Sequence, residues 1–318
     1  MLTKLKIAKY RFVLEPIEPM RLPPYKGATL RGGFGQAFKR MACSRPQLEG
    51  ACKSCLERDR CAYSYVFETP VPPNSEVLRT HEAVPRPFVF EPQLDNKTEY
   101  ELGDELAFGL VLIGRGIDYL PYFILAFKAL GEVGLGQGRG RFRLKQVWAQ
   151  DPLEPWKTLI YDGPSDALRN VAMVAGITEI EQAAAKLPDS ELTIDLLTPT
   201  CLKHDGEIVR EPTFDVLIRA LMRRVSSLYY FHCGERWEAD YKEIVEQAQK
   251  IETIEAATHW QEWERFSSRQ DQRIDMGGVI GRLRYAGPPA DLRTLLVLGS
   301  VVHVGKGCVF GNGKYTVG

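Results

Sequence analysis

The sequence predicts an α+β chain of two tandem β-α-β-β-α-β domains, on three observations. First, an apolar helix pattern followed by a glycine-rich loop and a short strand pattern occurs twice. It opens once at Leu130-Gly131 and runs through Gly134, Gly136, Gly138 and Gly140. It opens again at Leu298-Gly299 and runs through Gly305, Gly307, Gly311 and Gly313. Second, each half begins with a strand pattern ending in Leu-x-Pro, Leu14-Glu15-Pro16 and Leu197-Thr198-Pro199. Third, 318 residues is a natural length for two domains. A repeated supersecondary unit is read as a duplicated domain.

The elements follow in order. Residues 3–14 alternate in the manner of a half-buried strand, and the prolines from Pro16 to Pro24 make an extended loop. A helix is expected from about Ala28 to Met41, with Leu30, Phe34, Ala37 and Phe38 on one face. Arg31, Lys39 and Arg40 fall on its other faces. A cysteine-rich insertion at about 42–61 interrupts the first domain, and Ala62 to Glu68 reads as a strand through Tyr63, Tyr65 and Phe67. A strand over 100–114 and a helix over 119–133 lead into the first glycine loop. There Arg139, Arg141, Arg143 and Lys145 recur with period two, which puts four cations on one face of a strand.

Residues 151–190 read as a linker with a short helical run near its end. The second half has strands at 191–200, 259–268, 276–286 and 315–317, helices at 213–231 and 291–302, and an inserted exposed helix at 238–257. The expected domains are therefore 1–150 and 191–318, both ferredoxin-like, with the cysteine-rich insertion in the first.

With 44% hydrophobic and 26% charged residues the chain can bury two ordinary cores. Forty-one basic residues balance 41 acidic ones, which argues against a broad non-specific nucleic-acid coat but leaves room for a local basic groove. The N-terminus has no signal-peptide pattern and no apolar run reaches membrane-spanning length, so a soluble, cytoplasmic protein is expected. Neither glycine loop carries Gly-x4-Gly-Lys-Ser/Thr, and both follow a helix instead of opening one, so no nucleotide cofactor is expected.

Cys43, Cys52, Cys55 and Cys61 fall within about twenty residues in a segment with little apolar content of its own. Four thiolates can satisfy a tetrahedral zinc or hold an iron–sulfur cluster, and the spacing admits both. The role would be structural. The free-thiol reading rests on Cys52 and Cys55 being close by coincidence.

The second glycine loop, with Lys306 and Lys314 among Gly305, Gly307, Gly311 and Gly313, suits an anionic ligand that approaches backbone closely. Arg139, Arg141 and Arg143 beside the first loop are read as phosphate contacts. The bland alternative for both groups is a solvated face.

These features together, and above all His303-Val-Gly-Lys-Gly-Cys-Val-Phe-Gly-Asn-Gly-Lys-Tyr315, resemble the RAMP superfamily of CRISPR-associated RNA-binding proteins. Within it, the chain is similar to the endoribonucleases that process precursor CRISPR RNA. Met276-Gly277-Gly278-Val279-Ile280-Gly281 and Cys52-Lys53-Ser54-Cys55 support the resemblance, which spans essentially the whole chain. It implies metal-independent cleavage of repeat RNA, the glycine loop facing the RNA, and no cofactor for catalysis. CRISPR repeat RNA is the implied partner, with other effector subunits beside it. It also implies functional groups just before the first helix, where Tyr25 and Lys26 stand, and RNA contact from Arg31 and Lys39 on that helix. The terminal pattern carries a histidine, here His303, and His81 lies between arginines in the proline-rich loop; both are candidate acid–base groups. One departure bears on chemistry: members often place a catalytic histidine near the first loop or first helix, and Tyr10 to Met41 contains none. A catalytically inactive RNA-binding subunit of the same superfamily is the alternative.

Overall fold

The computed structural model describes residues 2–44, 52, 55–71, 84–267 and 272–318. They form two compact units. One comprises Lys6–Val174 with Phe231–Cys233, the other Met1–Leu5, Ala175–Tyr230 and Gly234–Gly318.

The first unit runs β1 (Ile7–Pro16), α1 (Gly27–Ala42), β2 (Phe88–Pro92), β3 (Leu106–Ile113), α2 (Leu120–Val133), β4 (Phe142–Gln150), β5 (Lys157–Asp162) and β6 (Ala167–Leu168). Its strands lie side by side in the order β2-β3-β1-β4-β5-β6. The first four are the 2-3-1-4 order of a ferredoxin-like sheet, antiparallel throughout. One face of that sheet is aromatic. Phe12 of β1, Phe90 of β2 and Phe108 of β3 meet Phe34 of α1 and Phe123 and Phe127 of α2. The Phe34 and Phe123 rings stack at 4.4 Å, which buries both helices on the sheet with a preferred offset geometry. The expected linker is partly a strand: β5 continues this sheet beyond β4.

The second unit runs α3 (Ile177–Ala185), β7 (Glu191–Thr200), α4 (Phe214–Leu228), α5 (Tyr241–Ala248), β8 (Thr253–Gln261), β9 (Gly278–Ala286), α6 (Ala290–Val302) and β10 (Tyr315–Val317). Its sheet has the order β8-β9-β7-β10, the same arrangement again. Leu192, Ile194, Leu217, Leu221, Leu283, Leu296 and Tyr285 are buried between sheet and helices.

The Leu-Gly pair that opened each repeat now has a physical reason. A Cβ on Gly131 in α2 would lie 2.3 Å from the carbonyl oxygen of Phe142, the first residue of β4. A Cβ on Gly299 in α6 would lie 2.3 Å from the hydroxyl of Tyr315, the first residue of β10, and 2.2 Å from Leu221. In the first unit the backbone of the closing strand passes so near the last helix that only glycine fits; in the second, the helix is approached by the Tyr315 side chain from the closing strand and by Leu221 of α4.

Several expected elements differ: the strand expected over 259–268 ends as β8 at Gln261, with Glu264–Ser267 paired instead to Gln272–Asp275, and the strand expected over 100–114 is β3, which starts only at Leu106. Ser64–Glu68 is a π-helix instead of a strand, with the Thr69 amide donating to the Ser64 carbonyl at 2.7 Å. The helix expected over 238–257 is only α5, because Thr253 and the residues after it pair with β9 as β8.

Candidate functional site

The second glycine loop, residues 303–314, is strapped to the end of β7. The Val304 amide donates to Gly313 O at 3.0 Å, and the Gly313 amide to Pro199 O at 3.1 Å. The Lys306 amide donates to Cys201 O at 3.0 Å. The Thr198 hydroxyl donates to Gly311 O and accepts from the Lys314 amide, both at 2.9 Å. Asn312 donates from Nδ2 to Met276 O at 3.1 Å.

Gly305, Gly307, Gly311 and Gly313 all have positive φ. A Cβ on Gly313 would fall 1.7 Å from Val304 O, and one on Gly305 2.6 Å from Cys201 O. The chain's own backbone makes that close approach, so these glycines are explained by the loop's construction before any ligand is considered.

His303 caps α6 at φ 64° and ψ 172°. Its side chain is wholly buried, and Nδ1 lies 3.0 Å from the Asn312 carbonyl, so that nitrogen carries the proton. In this geometry His303, a candidate acid–base group, holds the loop from inside. The Arg224 guanidinium of α4 donates to Val302 O through two nitrogens at 2.8 and 2.6 Å and neutralises the carbonyl end of α6.

What the loop presents to solvent is Lys306. It is exposed and has no carboxylate partner among the described residues. Burial pushes the Cys201 thiol up, and Lys306 partly offsets this from nearby. Lys314 is half-buried. Two arginines of this unit that sequence reasoning missed lie against aromatic rings: the Arg265 guanidinium is 4.7 Å from the ring centre of Phe310 in the loop, and Arg210 is 4.7 Å from that of Trp260. Their partners are 45 and 50 positions away in the chain, a separation that no local pattern reveals. Along the sheet, a shallow pocket of about 480 Å³ is lined by Asp195, Glu255 and Arg282, but Arg282 is held by Asp195 at 2.7 Å.

In the first unit the period-two cations divide. Arg139 precedes β4 in a turn at φ 54°. Arg141 makes a fork with Glu18, Nε to Oε1 at 2.8 Å and the backbone amide to Oε2 at 3.1 Å. Those bonds hold the Glu18 carboxyl below the usual carboxylate range. Lys145 is shared by Glu105 at 2.7 Å and Glu15 at 3.4 Å. Arg139 and Arg143 are exposed, with no ion pair among the described residues.

Lys26 is held inside the first unit. Its side chain is fully buried, with Nζ at 2.8 Å from Asp95 Oδ1 and 3.1 Å from Pro24 O, and 5.9 Å from the Tyr100 ring centre. It closes the proline loop and is not offered to solvent. Tyr25 is half-buried. Arg31 lies over the Phe67 ring at 3.9 Å, and Lys39 is half-buried near the end of α1. His81 lies outside the described residues.

Cys43, Cys52, Cys55 and Cys61 are all free thiols of intermediate exposure. Burial and the Glu68 carboxylate push the Cys52 thiol up; Lys39 opposes them, and Cys43 and Cys61 lie near enough to push it the same way. Among the described residues no group of three or more His, Cys, Asp or Glu side chains is set to hold a metal ion. No helix there is long and apolar enough to cross a membrane.

Comparison with known proteins bears on both units. The family model AF_1859_N, an N-terminal domain, matches residues 5–173. The model for the CRISPR-associated endoribonuclease Cas6 matches residues 194–315. An uncharacterized protein of Archaeoglobus fulgidus is 26% identical over 318 residues, covering 99% of this chain and 97% of its own. Among solved structures, Thermus thermophilus Cas6 superposes with a TM-score of 0.54 at 13% identity, covering 98% of each chain. A Cas6 product complex gives 0.54 at 15% identity, again covering 98% of each. A partial Cas6-RT-Cas1–Cas2 complex gives 0.59 at 12% identity, covering 100% of this chain and 47% of that one. At these identities the structural likeness is one of fold.

Proposed function

We propose that this chain, whose residues 5–173 match the AF_1859_N N-terminal domain model and whose residues 194–315 match the model for the CRISPR-associated endoribonuclease Cas6, is an endoribonuclease that cleaves repeat RNA in precursor CRISPR transcripts to give guide RNAs. The observation that carries this reading is the Cas6 match over residues 194–315, which contains the strapped glycine loop and its exposed Lys306.

The proposed chemistry needs no metal-bound water, because RNA supplies its own nucleophile. The 2′-oxygen attacks the adjacent phosphorus, the bond to the 5′-oxygen breaks, and a 2′,3′-cyclic phosphate remains. Holding those atoms in line removes several kcal/mol of barrier. Lys306 is proposed as the cation facing the phosphate, where a fixed positive charge steadies the extra phosphorane charge. His303 and Lys26 are proposed as positioning residues, consistent with their burial. Tyr25 and His81 remain the proposed proton carriers in the first unit. CRISPR repeat RNA is the proposed partner.

The second reading is an RNA-binding subunit that does not cut. The burial of His303 and the absence of histidine from Tyr10 to Met41 favour it. End-labelled repeat RNA separates the two. The nuclease yields a cyclic-phosphate product in EDTA and none when the cut site carries a 2′-deoxy nucleotide; repeat RNA that binds and stays whole overturns the nuclease reading.

Cys43, Cys52, Cys55 and Cys61 are proposed to hold a structural metal centre, zinc or iron–sulfur. The soft thiolate set suits either, and a metal would supply the core that this segment lacks. No step of RNA cleavage runs through it.

A further inference from the structure

In the first unit the helices cover one face of the sheet, and strand register identifies what the other face carries. Arg11 of β1 lies opposite Trp148 of β4, and Trp148 opposite Leu159 of β5. One row along, Lys9 lies opposite Gln150, and Gln150 opposite Lys157. Directly opposed residues share a face. Lys9, Arg11, Trp148, Gln150 and Lys157 therefore sit together, while the neighbouring pair Phe12 and Val147 turns inward and is fully buried.

The indole is held in place. Trp148 Nε1 donates to Gln146 Oε1 at 3.2 Å, and the Lys157 ammonium lies 5.2 Å from the ring centre. Arg11 and Lys157 are exposed, and neither has a carboxylate partner among the described residues. Lys9 differs, being neutralised by Glu91 at 2.8 Å. Trp156, which leads into β5, is 69% exposed. Trp148 is half-buried with Lys157 against its ring, but folding leaves Trp156 and the Arg11 guanidinium open: an exposed indole gains little from burial, and a cation without a carboxylate gains no ion pair.

We infer that this face is a binding site for unpaired RNA nucleotides, in which a base stacks on Trp148 while Arg11 and Lys157 take the flanking phosphates; the inference rests on RNA being the ligand. Every base has a π-face, so an aromatic platform beside cations binds single strands with little sequence preference. A base inside a duplex cannot reach such a ring. Gln146 and Gln150 add side chains able to meet base edges, and the uncompensated positive charge complements phosphate better than an apolar protein surface.

The test titrates the full chain into a short labelled oligouridine and, separately, into a blunt-ended RNA hairpin, reading fluorescence polarisation. Trp148→Ala should weaken oligouridine binding about 10-fold and leave hairpin binding within about 2-fold, from the usual worth of one stacked base. Trp148→Phe keeps a stacking face and should recover most of the loss. If Trp148→Ala does not fold, the surface pair Arg11→Gln with Lys157→Gln decides, and should flatten the salt dependence of oligouridine binding by about 0.7 per lost phosphate contact. Unchanged oligouridine affinity in the variant that folds, or an equal loss on both RNAs, overturns the site. Repeat cleavage is read separately. A chain that binds oligouridine through Trp148 but cuts nothing keeps this site and loses the nuclease; one that cuts with Trp148→Ala binding normally does the reverse.

Discussion

His303 shows how much one residue can be asked to do. It sits at φ 64° and ψ 172°, a backbone region that costs a non-glycine residue about 1–3 kcal/mol, and the buried ring offsets that cost by bonding the Asn312 carbonyl. His303→Ala should therefore lower stability by about 2–3 kcal/mol in urea unfolding, since it keeps the strain and loses both the bond and the packing. His303→Gly should recover about 1 kcal/mol of that, and equal losses for the two variants would remove strain from the account. Asp215 gives a prediction with a sign. Burial opposes its ionisation, but the Thr213 hydroxyl at 2.6 Å and the Arg219 guanidinium at 3.2 Å outweigh it and hold the carboxyl below its ordinary value. A depressed carboxylate contributes stability above its unfolded pKa, about 3.9, and that contribution is lost as pH falls through the folded value. Asp215→Asn should cost about 0.5–1 kcal/mol at pH 7, a modest figure because solvent screens the pair, and the gap to wild type should close below about pH 4. A gap that persists in acid would point to packing. The sequence singled out His303 from its glycine–lysine surroundings, yet nothing local says which way the ring turns. Lys26 had still less signal, because the Asp95 that buries it is 69 residues away.

At the scale of elements, the segment before Thr69 misled through its own aromatics. Tyr63, Tyr65 and Phe67 alternate as a strand would, but Tyr63 and Phe67 stack at 5.1 Å, a contact four residues apart that only a helical turn brings about. Phe67 reaches Phe34 at 6.2 Å and Tyr63 reaches Phe38 at 5.7 Å, so the segment packs on α1 and joins no sheet. Tertiary packing overrode the local pattern. Cys43, which caps the end of α1, and Cys61, just before the segment, both lie near Cys52. If these thiols and Cys52 and Cys55 hold metal, elemental analysis should give about one zinc per chain, or iron with acid-labile sulfide and visible absorption. Cys52→Ser should then lose metal and lower the melting temperature while cleavage per folded molecule stays near wild type. Metal-free protein of unchanged stability would dispose of both forms of the centre. By contrast, the helices at α1, α2 and α6 and the strands β7 and β10 stand within about two residues of their expected places. Each carries a strong period with glycine or proline at its margin, which fixes an end independently of tertiary partners.

For the molecule as a whole, duplication was legible because a glycine sits at the same place in both last helices, Gly131 against the Phe142 carbonyl and Gly299 against the Tyr315 and Leu221 side chains. Charge was harder to read, since a sequence counts cations and a fold pairs them. Basic and acidic residues balance at 41 each, so the proposed RNA affinity must come from cations the fold leaves uncommitted. Of the period-two set, Arg141 is committed to Glu18 and Lys145 to Glu105 and Glu15, whereas Arg139 and Arg143 are exposed without ion pairs among the described residues. A paired cation that meets a phosphate must first leave its carboxylate, which then repels the incoming charge, so it contributes little net counterion release. Replacing Arg139 and Arg143 together by alanine should flatten the dependence of log K on log salt by about 1.4, at about 0.7 per single-strand phosphate contact. Arg141→Ala and Lys145→Ala together should change that slope by less than half as much. The measurement is repeat-RNA affinity across a salt series, and equal slope changes for the two pairs would mean that RNA competes successfully for every cation on the strand.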